Sequence, residues 1–302
     1  MTANPVLLQE LRVRMRGATA YALLAAIILV FGAFTLATYW SIANRIRPVA
    51  VQFGSFADPS NQGPQIDRLL VAQRGPIFFL VMALWAIVLV AFIVPASTSG
   101  TISRERELKT LPLLQVTPLR PLTLVTGKLL GAVSYVLLLL AAAIPLFSIV
   151  IMFGGIALDQ AINVVLVVAA ATFGFGALGV FLSAAARNSL LASLLTYTAV
   201  LTITFGSYGI YALSSPLKAA SLNWLLYLSP LAAILSALTQ TNPQLAAVVA
   251  RFFHEPGTSV VGEWWTLGHY PLWYVTVAGY LLAGLLLAVA ASRIIEPLRR
   301  WL

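Results

Sequence analysis

Six stretches of this chain, at about residues 18–42, 75–96, 129–153, 161–186, 189–213 and 271–292, contain no Asp, Glu, Lys, Arg or His. A bilayer hydrocarbon core about 30 Å thick is crossed by roughly 20 apolar residues in helical form. Backbone groups in lipid must pair within their own segment, which runs of this length do as helices. The expected fold class is therefore an all-α polytopic membrane protein with six transmembrane helices, forming a single transmembrane domain over 1–302. Composition closes the alternative. Sixty per cent of the 302 residues are hydrophobic and 9% are charged, whereas soluble domains carry about a quarter charged residues. Mean hydropathy is +0.94. With no cysteine, disulfides, zinc–thiolate sites and thiol nucleophiles are excluded.

The basic residues set orientation. Lys and Arg number 18 against 9 Asp and Glu, a net charge of +9. With the N-terminus inside, 12 of the 18 fall on cytoplasmic segments and 6 on outer ones, as the positive-inside bias requires of a chain with both termini in the cytoplasm. The basic excess thus serves topology, and no nucleic-acid partner is expected. Tyr39, Trp40, Trp264, Trp265, Tyr270, Trp273 and Tyr274 lie at the outer boundary, where amphipathic rings settle. The run from Ala18 to Trp40 has 23 uncharged residues, longer than the roughly 7–15 of a signal h-region, and reads as a retained span.

Residues 221–241 resist this scheme. They carry no charge and would serve as a seventh span, but that would reduce the bias to 10 inside and 8 outside, and Asn223, Ser229–Pro230 and Ser236 interrupt them. They read as an outer re-entrant or interfacial hairpin within the outer loop, 214–270, before the last span. At the other end, residues 1–17 read as an amphipathic helix in the cytoplasmic interface. Asn4 and Pro5 suit its start, Leu7, Leu8 and Leu11 form its apolar side, and Arg12 and Arg16 face anionic membrane lipid. The plainer reading is a positive flank of the first span.

The cytoplasmic loop 98–128 is the most informative. Arg104, Glu105, Arg106, Glu107 and Lys109 follow a charge-free run. Glu105 and Lys109 stand four apart, acid first, the favourable order on a helix. Leu108, Leu111 and Leu114 recur every three residues, and Pro112 and Pro118 keep the helix short. Such an element suits docking on another protein. A solvated loop that only enforces topology is the alternative.

The pattern E-R-E-x-K-T-L-x-x-L-x-x-T-P-L followed by G-K-L-L resembles the corresponding loop of type-2 ATP-binding-cassette (ABC-2) permeases. The matching positions are Glu105, Glu107, Thr110, Leu111, Pro118, Leu119, Gly127 and Lys128. The opening from Asn4 to Arg12 is similar to the family's interfacial helix. Leu182 to Arg187 resembles its Ser-Ala-x-x-Arg exit from the fourth span, and Tyr227 to Leu231 its Ser-Pro-Leu element. Lys109 stands where the family often has Gly, so the turn before Thr110 is expected to differ. The resemblance implies the permease subunit of an ATP-driven exporter in the bacterial cytoplasmic membrane. Its partners would be a separate ABC ATP-binding subunit, which uses ATP and Mg, and a second permease subunit. Glu105, Arg106, Glu107, Lys109, Thr110, Leu111 and Leu114 would then contact the ATPase. This chain itself would be no enzyme and would bind no cofactor or metal.

Three other signals carry less. Gly174-Phe-Gly-Ala-Leu-Gly179 spells G-x-G-x-x-G, but no strand precedes it and no acid follows until Glu255, so close helix packing explains it better than a dinucleotide. Gly127–Lys128 lacks the first glycine and the Ser/Thr of a P-loop. His254 and His269 are 15 apart, with no common ligand spacing. An ion-coupled secondary transporter remains the alternative, weakened because no expected span carries an ionisable group. A membrane-embedded enzyme or scaffold has still less support, for want of any acid, base or nucleophile constellation.

Overall fold

The computed structural model describes residues 10, 18–45, 74–109, 121–145, 147–148, 156–207, 209–210, 224–240, 245, 266–267 and 270–299. These form nine helices and one two-stranded pairing: α1 (Ala18–Arg45), α2 (Arg74–Thr98), α3 (Ser103–Glu107), α4 (Pro121–Ala141), α5 (Leu158–Ala185), α6 (Ser189–Leu201, continued by a π-helical turn, Thr202–Gly206), α7 (Trp224–Leu228), α8 (Pro230–Thr239) and α9 (Leu272–Arg299). Strands β1 (Thr266–Leu267) and β2 (Tyr270–Pro271) pair antiparallel just before α9. Among the described residues, five apolar helical runs are long enough to cross a membrane: one on α2 that continues through α3, and one each on α4, α5, α6 with its π turn, and α9. The protein is thus a polytopic helical membrane protein. α1 has 28 helical residues and includes the shorter apolar run Leu24–Ala37.

α5 is the axis, packed by α2, α4, α6, α8 and α9. Its glycines make this possible, each toward a different neighbour. A Cβ on Gly174 would strike Tyr280 of α9, and one on Gly176 would meet Val133 and Leu129 of α4. A Cβ on Gly179 would collide with the Thr98 side chain at the end of α2. From the other side, Gly284 of α9 admits the Phe173 ring. The G-x-G-x-x-G spelling therefore reports three close helix contacts, which small residues permit.

The helix that carries the third expected span, 129–153, starts ahead of it: α4 begins at Pro121, a residue suited to the first helical turn because it has no N–H to leave unpaired. It runs to Ala141, where a turn follows in which the Ala143 N–H donates to the Leu140 carbonyl at 3.0 Å. Helical bonding then resumes, the Phe147 N–H donating to the Ala143 carbonyl at 3.1 Å, and residues 149–153 lie outside the described residues. The earlier start draws Lys128 into the helix, where it is buried.

Residues 221–241 break where Pro230 sits. The ring cannot continue α7, so α8 restarts with Ser229 as its cap, the Ser229 hydroxyl accepting from the Ala232 N–H at 3.5 Å. Ten residues rise about 15 Å, half the hydrocarbon thickness. The interrupted backbone is paired by protein. Tyr280 donates to the Leu228 carbonyl at 2.7 Å, Thr276 to the Tyr227 carbonyl at 3.2 Å, and Ser229 to Thr204 O in the π turn at 3.3 Å. Phe175 packs edge-on against Tyr280, with ring centroids 5.4 Å apart.

Candidate functional site

The five residues of α3 hold to three spans at once. The helix needs partners for the first backbone N–H groups, which no intrahelical carbonyl can satisfy. They come from α5. Ser183 Oγ, fully buried, accepts from the backbone N–H of both Ile102 and Ser103 at 3.0 Å. A serine hydroxyl has two lone pairs and one proton, so in its 3.2 Å contact with Ser103 Oγ it is Ser183 that donates. Ser103 in turn donates to the Ser99 carbonyl at 3.3 Å. Ser99 and Ser193 hydroxyls, 3.0 Å apart, extend the chain of contacts to α6.

The charged side chains divide by helix end. Arg106 straddles the C-terminus of α5, donating to the carbonyls of Ala186 at 2.7 Å and Ala184 at 2.9 Å. Glu107 covers the N-terminus of α6, accepting from the Ser189 N–H at 2.8 Å and the Ser189 hydroxyl at 2.7 Å. Asn188 completes that cap by accepting from the Leu191 N–H at 3.0 Å. A cation on helix carbonyls and an anion on helix N–H groups both complement the helix dipole. Adjacent residues of α3 thereby grip both sides of the α5–α6 corner. The Ser189 donors, aided by Arg104, hold the Glu107 carboxyl below its ordinary value of 4.5.

Glu105 turns to the third span. Its Oε1 lies 2.6 Å from Lys128 Nζ, with side-chain exposures of 23% and 8%. This pair explains how a lysine enters α4: a buried cation persists where an opposite charge meets it.

Of the residues the sequence nominates for partner contact, Glu105, Arg106 and Glu107 are thus brought together and bonded within the chain. Lys109 is exposed and closes the helix at φ 56°, the one positive φ outside glycine among the described residues. The expected local difference at this position is resolved in an unexpected way, since lysine adopts the left-handed conformation that glycine usually supplies. Thr110, Leu111 and Leu114 lie outside the described residues, as do Leu7, Leu8, Leu11, Arg12 and Arg16, and His254 and His269. Of the N-terminal segment, Glu10 is described, and its side chain occupies the space beside Gly131 of α4. Sequence reasoning missed Ser183, Ser189 and the inward role of Lys128. The Ser-Ala-x-x-Arg exit motif contained the first, but nothing local shows that its hydroxyl caps another helix.

The model for the ABC-2 family transporter protein family matches residues 58–293, most of the chain. The chain belongs to the ABC-2 transporter family. No curated protein matches it. The match to the family model takes in α2 to α9 for almost their whole length, so α3 and the corner it grips are internal to this ABC-2 permease domain. α1 precedes the matched region.

Proposed function

We propose that this ABC-2 permease is one of two membrane-spanning subunits of an ATP-driven exporter, coupled to a separate ATPase subunit through the 98–128 loop. The observation that carries the reading is the threefold attachment of α3. Because Glu105 is tied to α4, Ser103 and Arg106 to α5, and Glu107 to α6, a displacement of this short helix is imposed on three spans together. A coupling element requires this. A loop that only enforced topology would need none of these bonds. On this reading α1 is the sixth span, α7 and α8 form the re-entrant pair, and both termini face the cytoplasm of a bacterial inner membrane. ATP and Mg act in the partner, and the cargo is hydrophobic or amphipathic, matching an apolar path.

The test is affinity purification in mild detergent with identification of co-purifying proteins. Recovery of an ABC ATPase that disappears when residues 104–114 are replaced supports the proposal. Glu105→Ala/Glu107→Ala is expected to reduce substrate-stimulated ATP hydrolysis while membrane insertion is kept. Transport by the purified chain alone, without ATP, would overturn the proposal in favour of an ion-coupled carrier.

A further inference from the structure

The stretch Arg104-Glu105-Arg106-Glu107-Leu108-Lys109 looks nearly balanced in charge, but folding sorts it. Glu105 is spent on Lys128, and Arg106 on the carbonyls of Ala184 and Ala186. Glu107 stays exposed with both oxygens engaged by Ser189. Facing outward are Arg104, Leu108 and Lys109, with Leu108 65% exposed. Arg104 and Leu108, four apart, share one side of the helical turn. Arg187 is exposed as well. It belongs to the same corner, because Arg106 holds Ala186 on one side of it and Glu107 holds Ser189 on the other. Among the described residues, three cations and one acid leave this face at +2, around the exposed Leu108.

The backbone at Lys109 points the same way. A non-glycine residue in the left-handed region is strained, and such outliers persist where the surrounding structure over-determines them, often at functional positions. A lysine at φ 56° carries a charge that glycine would not.

Resting on the proposed ATPase partnership, we infer that the docking groove of that ATPase is an apolar pocket for Leu108 with an acidic rim facing Arg104, Lys109 and Arg187. An anionic bilayer surface would also attract cations, but it asks for no fixed geometry. Here the helix is clamped at three points and its terminal lysine is set by the backbone. Both features suit a shaped protein groove. Rim charges of this kind act mainly on association rate and partner choice.

The experiment measures binding of the full-length permease, in detergent, to the ATPase identified by co-purification, at low and high salt. Lys109→Glu/Arg187→Glu is expected to weaken binding roughly tenfold at low salt, mostly through slower association, and to flatten the salt dependence. Lys109→Gln/Arg187→Gln should fall between, and Leu108→Ala should weaken binding without changing the salt dependence. Lys109→Arg/Arg187→Lys, which keeps both charges, should bind as the wild type does and guards against a folding artefact. If no ABC ATPase binds the wild-type chain, the functional proposal fails and this inference with it. Equal ATPase binding by the wild type and the glutamate variant overturns the acidic rim alone. So does a glutamate variant that keeps the ATPase and loses only its adherence to phosphatidylglycerol vesicles, since the face would then be a membrane contact.

Discussion

Replacing Ser183 by alanine tests the attachment of α3 most directly. The substitution removes one oxygen and leaves the backbone N–H groups of Ile102 and Ser103 facing it. Both residues are 0% exposed, so water cannot reach the vacated donors without movement. Each unsatisfied buried donor costs about 1–3 kcal/mol, so detaching α3 becomes easier by at least ~2 kcal/mol. At about 1.4 kcal/mol per factor of ten, this raises the population of the detached state roughly 30-fold. Hydrogen exchange of the purified full-length protein reads this locally. Amides of residues 102–108 should exchange at least that much faster, while those in the middle of α5 keep their protection. Ser103→Ala is the control. It loses the contacts of Ser103 Oγ with Ser183 and the Ser99 carbonyl but strands no backbone N–H, so its effect should be several-fold smaller. Equal exchange in the Ser183→Ala variant and the wild type, or equal effects of the two substitutions, would refute the capping argument.

Three further outcomes are expected. Lys128→Met leaves the Glu105 carboxylate half-buried without its cation, so it should lower the melting temperature more than Glu105→Gln/Lys128→Met does; additive effects in that cycle would show the pair to be uncoupled. Gly179→Ala must displace the Thr98 side chain and should destabilise the protein by about 1–3 kcal/mol, whereas Gly279→Ala, with nothing within 4 Å of the added carbon, should be neutral or stabilising by up to about 1 kcal/mol in a thermal unfolding series. Glu107 has a folded-state pKa below 4.5, so its contribution is present above that value and is lost as pH falls through the folded-state value. The gap in melting temperature between the wild type and Glu107→Gln should therefore be open at pH 6 and close below pH 4.5, and a gap independent of pH would contradict the assignment.

Legibility from sequence differed between levels of structure. The break before Pro230 is legible because proline removes an N–H wherever it stands. Lys128 reads as a boundary in the sequence until its partner Glu105 is known. The loop 98–128 stands out by its charges, but the groups that its acids meet within the chain are not legible there. Their partners are 23 to 82 residues away in the chain, beyond any local pattern. The G-x-G-x-x-G spelling was attributed to helix packing, but which neighbour each glycine admits was not legible.

By itself the sequence determined the class of protein and the place of the broken segment. Each follows from what one segment requires of lipid or of its own backbone, whatever its neighbours are. Only the tertiary structure decided that Ser183 caps α3, that Arg106 and Glu107 hold opposite sides of one corner, and that Lys128 is buried with Glu105. Those choices depend on which helices pack together, because a hydroxyl or a charge acquires its role from the group placed within about 3 Å of it.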